Sequence, residues 1–269
     1  MRGILTLLAA FLLCSLHPTA QAQEPDNKRT QADAEMKKNN FNDALQLYRE
    51  LLGTPAGSSG DLQQALLCLQ HLGKVHELDT LIEGAVSVQP TRFDLLIAAA
   101  QGYQSAPKFG FLIAGRFDRG GHRGGGEYAS VTARDRIRSL QLLLQALQAA
   151  ESDPNITNSF KADAWAQVAA QISEEQAAAP WKLQLLSSLT ILPDAEPGAA
   201  PWMFRGQGPG TISNAPVDEQ GQPVFHKLPD SWETAASDGE RWRWALSQTA
   251  RLDPARRSDT ELLFAEFLQ

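Results

Sequence analysis

The stretch F-N-D-A-L-Q-L-Y-R-E-L-L at 41–52 decides the fold, because its pattern returns in V-H-E-L-D-T-L-I-E-G-A-V at 75–86. Within each stretch the apolar and aromatic residues are spaced so that they share one face of an α-helix. Asn39-Asn40 precedes the first stretch and Gly73 precedes the second, and both signals interrupt a helix. The matching positions lie 34 residues apart, at 41/75, 44/78, 47/81, 48/82, 51/85 and 52/86.

A period of 34 residues is typical of tetratricopeptide repeats, in which two helices form a hairpin that packs on the next hairpin. Pro55 and Pro90 close the two copies, and 92–104 supplies a further first helix. We therefore predict a mainly α fold with tetratricopeptide-like hairpins over residues 23–105. The alternative is a generic helical bundle in which the period is a coincidence. Both alternatives make the region a scaffold and not a catalytic centre.

The first 22 residues have the pattern of an export signal. Arg2 is followed by an apolar run from Ile4 to Leu16, and Ala20-Gln21-Ala22 fits a signal-peptidase site. The apolar run is shorter than the roughly 20 residues that a membrane span needs, as is every later apolar run. We expect cleavage after Ala22 and a location in the periplasm or cell envelope, with a retained anchor as the alternative.

Composition excludes some partners. The net charge of −7 becomes −8 once Arg2 is removed with the signal, and this acidity argues against nucleic acid as a partner. Cys68 is the one cysteine that follows the signal, so an internal disulfide cannot form. Its apolar neighbours predict a buried small hydrophobic residue.

Residues 106–131 carry the most unusual local sequence, in which glycines alternate with Arg119, His122 and Arg123. Backbone N–H groups and guanidinium groups can together bind an anion or an acidic partner. The spacing matches no phosphate-binding motif, however, and an exposed flexible loop is the favoured prediction. The alternative is an ordered segment whose arginines pair with acids such as Asp118, Glu127 or Asp135, after a short strand near 111–114.

The second half is predicted to be helical around one irregular segment. Residues 132–192 contain a helix capped by Thr132 and Asp135, another from about Ser159, and a third from Pro180 that carries Trp181, Leu183, Leu185, Leu186 and Leu189. Residues 193–236 are rich in proline and glycine, with a β-hairpin predicted near 214–226. Residues 237–269 return to helix at Ser237-Asp238-Gly239-Glu240, and a capping box that begins at Ser258 opens a last helix. The apolar, uncapped last helix predicts a chain that is truncated at its C-terminus.

Catalytic constellations are missing from the sequence. His71 and His76 have the wrong spacing for a zinc-binding helix, no Gly-x-Ser-x-Gly elbow occurs, and Cys68 has no acidifying neighbour. The six tryptophans suit core packing better than ligand binding. We therefore predict a protein that is not an enzyme, with no catalytic residue, metal or cofactor.

Four segments together resemble one bacterial family. They are F-L-I-A-G-R-F-D-R-G-G-H-R-G-G-G at 111–126, A-R-D-R-I-R-S-L-Q-L-L-L-Q-A-L at 133–147, A-P-V-D-E-Q-G-Q-P-V-F-H at 215–226 and S-D-G-E-R-W-R-W-A-L at 237–246. In this order they are similar to the leading region of the large exported α-macroglobulin-like proteins of environmental bacteria. The resemblance implies a region that precedes protease-trapping β-domains. The chain contains neither those domains nor the Cys-x-Glu-Gln thioester motif, so no trapping residue can be assigned.

Three functional hypotheses follow. The first is the non-enzymatic N-terminal helical region of an α-macroglobulin-like endopeptidase inhibitor, whose partners would be proteases acting on the rest of that protein. The second is a free-standing periplasmic tetratricopeptide-like scaffold that binds a peptide or protein. The third, and least favoured, is an enzyme that uses Arg119 and Arg123 on an anionic substrate.

Overall fold

The computed structural model describes residues 20–173, 180–198, 220, 222 and 224–267. These residues are mainly helical and include a small antiparallel sheet. The helices are α1 (Ala20–Lys37), α2 (Phe41–Leu52), α3 (Ser59–His71), α4 (Leu78–Val88), α5 (Phe93–Ser105), α6 (Thr132–Ser152), α7 (Asn158–Ser173), α8 (Asp238–Leu252) and α9 (Arg257–Phe267). The strands are β1 (Phe109–Ile113), β2 (Arg116–Arg119), β3 (Glu127–Ser130) and β4 (Glu196–Pro197).

The predicted helices of the first third are confirmed, and so is the burial of one face. Ala44 and Tyr48 of α2 are fully buried, as are Ile82 of α4 and Ala100 of α5. Each helix packs on its neighbour along the chain, α1 on α2, α2 on α3 and α4 on α5. The apolar faces meet in one core that continues through α6, α7 and α8. Burial of this apolar surface is the main stabilising contribution to the array.

Local signals set where the early helices begin and end. Asn39 ends α1 and Gly73 follows α3, and both adopt positive φ angles, 62° and 64°. The Ser58 hydroxyl accepts a hydrogen bond from the Asp61 backbone N–H at 3.1 Å, and the Asp61 carboxylate accepts one from the Ser58 backbone N–H at 2.8 Å. This reciprocal pair is a capping box at the start of α3. The same carboxylate accepts two bonds from Arg29 of α1, both 2.8 Å long.

The sheet interrupts the helices between α5 and α6. Its strand order is β2-β1-β3-β4, and all neighbouring strands are antiparallel. Gly110 in β1 lies where a Cβ atom would be 2.1 Å from the Asp118 carbonyl oxygen of β2. Only glycine therefore allows the close approach of these two strands. The predicted strand near 111–114 is confirmed over 109–113, whereas the prediction of an exposed loop is wrong for the residues of β2 and β3.

Three predicted features of the second half are wrong. The helix expected from Pro180 is a single 3-10 turn, Pro180–Gln184, and Trp181, Leu185 and Leu186 are exposed. Backbone groups beyond it bond to other elements instead of continuing a helix. The Asp238 N–H donates to the Leu185 carbonyl at 2.7 Å. The Gln141 side chain donates to the Leu189 carbonyl at 2.9 Å.

The other two errors concern helix caps. Thr132 is the first residue of α6 and not its cap, because Val131 occupies the cap position without a side-chain bond. Ser258 lies inside α9, which follows a 3-10 turn at Pro254–Arg256, and Asp253 accepts a bond from the Ala255 N–H at 3.2 Å to open that turn. Neither Thr132 nor Ser258 is therefore the cap residue of its helix.

Two further predictions fall largely outside the described residues. The signal at 1–22 lies outside them except for 20–22, which belong to α1. Of the β-hairpin at 214–226, residues 214–219, 221 and 223 lie outside, whereas Phe225 and His226 are described and belong to no strand. Among the described helices, none combines the length and the hydropathy that crossing a membrane requires.

Candidate functional site

Arg119, predicted to take part in an anion-binding loop, is buried at the end of β2, with only 3% of the residue exposed. Its five N–H donors are all used. Nε and Nη2 donate to Asp79 Oδ1 at 3.0 and 2.7 Å. Nη1 and Nη2 donate to Asp135 Oδ2 and Oδ1 at 2.7 and 2.9 Å, and Nη1 also donates to the Pro107 carbonyl at 2.7 Å. No donor remains for an exogenous anion. The alternative of an ordered segment whose arginine pairs with Asp135 is confirmed for Arg119.

The surroundings of Arg119 explain why it stays charged. Burial lowers the pKa of the guanidinium, but the bonds and charges of Asp135 and Asp79 outweigh that effect and raise it. Arg134 also donates to Asp79, at 3.0 Å, and Lys108 Nζ lies 3.6 Å from Asp135 Oδ2. Because Asp79 belongs to α4 and Asp135 to α6, the cluster attaches the sheet to two helices.

His122 and Arg123 do not join Arg119 in one site. The His122 side chain is 28% exposed, and its Nδ1 lies 3.7 Å from Asp118 Oδ2. Its ring centroid is 6.1 Å from that of Phe111, on the sheet face opposite to Arg119. Arg123 is exposed. The three candidate residues therefore do not form one site: Arg119 belongs to a buried ion cluster, His122 lies near Phe111, and Arg123 is exposed.

One candidate site among the described residues is a groove that the sequence did not reveal, formed by α3, α5 and α7. It encloses about 590 Å³, and the 3-10 turn before α9 contributes Arg256 to its wall. Its apolar lining includes Phe93 and Ile97 of α5 and Phe160 of α7, of which Phe160 is 53% exposed. Phe160 therefore presents its ring at this open surface.

One glutamine from each helix provides the polar part of this α3–α5–α7 groove: Gln63, Gln101 and Gln167. The Gln101 amide donates to the Gln167 amide oxygen at 3.1 Å across the gap between α5 and α7. A primary amide both donates and accepts hydrogen bonds, as does a peptide group. The arrangement is therefore suited to the main chain of another polypeptide.

The two carboxylates of the groove are paired. Asp94 accepts bonds from Arg92 Nε at 2.8 Å and from the Ser59 hydroxyl at 2.9 Å. Burial raises the pKa of Asp94, but these bonds outweigh it and hold the pKa below its usual value, so the group is ionised. Asp163 lies 2.8 Å from Arg256. The groove consequently has little net charge to select a charged ligand.

A second groove of about 540 Å³ lies between α2 and α4. Its floor contains Leu52 and Leu81, and its polar side contains an ion pair between Arg49 and Glu77, with His76 beside it. His71 is not part of it, since its ring stacks on Phe41 with centroids 4.1 Å apart. The two histidines therefore do not converge.

Chemistry-bearing clusters are scarce in the part of the chain that the structure describes. No group of three or more histidine, cysteine or acidic side chains could hold a metal ion there. Cys68 is fully buried, as predicted, and burial raises the pKa of its thiol to about 11. A thiol in that state is a poor nucleophile.

Comparison with known proteins supplies no relative. No protein-family model matches the chain, and neither the curated proteins nor the solved structures contain a significant match.

Proposed function

We propose that the chain is an exported, non-enzymatic helical scaffold that binds an extended segment of a partner protein in the α3–α5–α7 groove. One observation supports this proposal above all others: the three helices that line the groove each place a glutamine amide beside apolar side chains, of which Phe160 is exposed. The amides would bond to the partner's main chain, and Phe93, Ile97 and Phe160 would receive its apolar side chains. The 34-residue spacing of α2 and α4 supports a tetratricopeptide-like arrangement of the array.

Selection of peptides tests the scaffold proposal. A phage-displayed library of random peptides would be panned against the protein, with Phe160→Asp as the groove variant. Leu263→Asp serves as a matched control, because Leu263 is also exposed, at 50%, and lies on α9 outside the groove. We expect enrichment of peptides with apolar residues on the wild type and the control, and none on the groove variant. Equal enrichment on all three proteins would contradict the proposal.

A second proposal concerns the protein to which this scaffold belongs. We infer the N-terminal region of an α-macroglobulin-like protease inhibitor from the four family-like segments, which also contact each other in pairs. Arg119 of the first segment binds Asp135 of the second. Arg243 of the fourth donates to the His226 carbonyl of the third at 2.9 Å. These contacts suggest that the resemblance lies in residues that hold one structural unit together.

The reading frame beyond Gln269 distinguishes the two settings of the scaffold. If it continues into a series of β-rich domains, the inhibitor proposal is supported and a free-standing scaffold is contradicted. A stop codon directly after Gln269 in an intact genome would support a free-standing scaffold and contradict the inhibitor proposal. For either setting, export would be tested by fractionating cells and sequencing the N-terminus, where we expect Gln23.

A further inference from the structure

His226 is a buried histidine at the junction of α8 and α9, and only 5% of the residue is exposed. Its ring lies against Gly239 in the first turn of α8, where an added Cβ would be 2.3 Å from ring atoms. On α9, the ring centroid of Phe267 is 5.6 Å away. Glycine at 239 is thus what admits the imidazole between the two helices.

The imidazole lacks a hydrogen-bond partner at Nε2 in this buried position. A neutral imidazole has one N–H donor, whereas the protonated ring has a donor on each nitrogen and a positive charge. An N–H on Nε2 would have no acceptor, and a positive charge is costly away from water. Burial of the ring and the unpartnered Nε2 therefore favour the neutral imidazole in this position.

The charged groups near His226 do not offset that cost. Glu240 of α8 favours the cation and Arg243 of α8 opposes it. The Glu240 carboxylate already accepts a bond from the Ala236 N–H at 2.8 Å and lies 3.9 Å from Lys227 Nζ. The contact from α9 is the uncharged Phe267. Among the described residues, no charge other than Glu240 favours protonation.

Helix α9 is attached to α8 by aromatic side chains next to His226. Phe264 and Phe267 pack on Trp242 of α8, with ring centroids 6.2 and 5.2 Å apart. The Arg243 guanidinium lies 3.5 Å from the centroid of Phe264. The neighbouring Leu262 and Leu263 are exposed and contribute little to this packing. A charge introduced at His226 would therefore act on the main contact between α8 and α9.

We propose that His226 is an acid-sensitive latch, whose protonation displaces the imidazole from between Gly239 and Phe267 and loosens α9 from α8. The direction of the pKa shift agrees with this geometry: burial lowers the pKa of His226, and Glu240 restores it only in part. A histidine whose folded pKa is depressed stabilises the fold above its unfolded pKa of about 6.5 and loses that contribution as the pH falls below it. The latch is independent of any ligand in the α3–α5–α7 groove.

Hydrogen exchange of α9, followed by mass spectrometry between pH 7.5 and 5, tests the latch. After correction for intrinsic exchange, we expect α9 to exchange several-fold faster at pH 5 than at pH 7.5. His226→Phe keeps a ring without a titrating group, so its α9 should show no such change. His122→Phe, which alters a partly exposed histidine, should respond as the wild type does.

Two results would overturn the latch. One is an acid response of α9 that persists in His226→Phe, and the other is a wild type whose α9 exchanges at a constant corrected rate down to pH 5. Should His226→Phe fail to fold, an NMR titration of the wild-type histidines decides instead. The latch requires His226 to titrate below the other histidines, and titration together with them would contradict it.

Discussion

The guanidinium of Arg119 and the carboxylate of Asp135 form a two-bonded ion pair, at 2.7 and 2.9 Å, in which the side chains are 1% and 0% exposed. One partner ends a strand of the small sheet and the other lies in the first turn of α6. Together with Asp79 of α4, this pair attaches the glycine- and arginine-rich segment 106–131 to the helical array. The segment therefore contributes to structure through Arg119.

Replacing Arg119 with Ala should destabilise the protein strongly, because Asp79 and Asp135 would each lose two hydrogen bonds to a charged donor and Asp135 would remain buried. Removal of one member of a buried pair costs about 3–5 kcal/mol, and we expect a loss in that range in urea unfolding. Arg123→Ala is the control, since Arg123 is exposed and should change stability by less than about 0.5 kcal/mol. Equal stabilities of the two variants would contradict the ion cluster.

Gly110→Ala should disrupt the junction of β1 and β2, because the new Cβ would lie 2.1 Å from the Asp118 carbonyl oxygen. Overpacking of this kind costs about 1–3 kcal/mol, which thermal unfolding would detect as a lower Tm. Gly121→Ala is the matched control in the same segment, where an added Cβ meets nothing within 4 Å. We expect this control to retain the wild-type Tm, and a Gly110→Ala protein that also does so would refute the close approach of the strands.

Acid should weaken the junction of α1 and α3 through Asp61. Burial raises the pKa of this carboxyl, but its bonds to Arg29 and Ser58 outweigh burial and lower it below the ordinary value. A carboxyl with a depressed pKa stabilises the fold above its unfolded pKa of about 3.9, and this contribution is lost as the pH falls below that value. Unfolding in urea at pH 7 and pH 3 measures the effect.

Asp61→Asn provides the comparison for that experiment. The amide cannot accept both Arg29 bonds as a charged partner, so we expect the variant to be less stable than the wild type at pH 7 and closer to it at pH 3. A stability difference that stays constant between the two pH values would show that the ionised carboxylate is unimportant.

The repeat pattern of 41–52 and 75–86 predicted α2 and α4 correctly, since helical periodicity is a local property. It contained one mismatch, because apolar Leu45 corresponds to polar Asp79. The structure gives the reason: Leu45 is in the core, whereas Asp79 binds Arg119 and Arg134. The polar residue that breaks the repeat, Asp79, therefore belongs to the ion cluster, and its partner Arg119 lies 40 residues further along the chain.

The remaining errors arise where a local signal competes with a distant contact. Asp135 matched a helix cap in sequence, but its carboxylate binds Arg119. The apolar run after Pro180 matched a helix, but Asp238 and Gln141 bind its backbone instead. The α3–α5–α7 groove gave no signal at all, because Gln63, Gln101 and Gln167 are common surface residues until the packing of three helices aligns them.

The hydrogen-exchange footprint of a peptide selected on the wild-type protein tests the scaffold most directly. We expect that adding the peptide slows exchange in α3, α5 and α7. The double variant Gln101→Leu with Phe160→Asp should lose both this protection and the binding. The exchange rates of the groove between α2 and α4 should stay unchanged. Protection confined to any other surface, with α3, α5 and α7 unaffected, would contradict the proposed binding site.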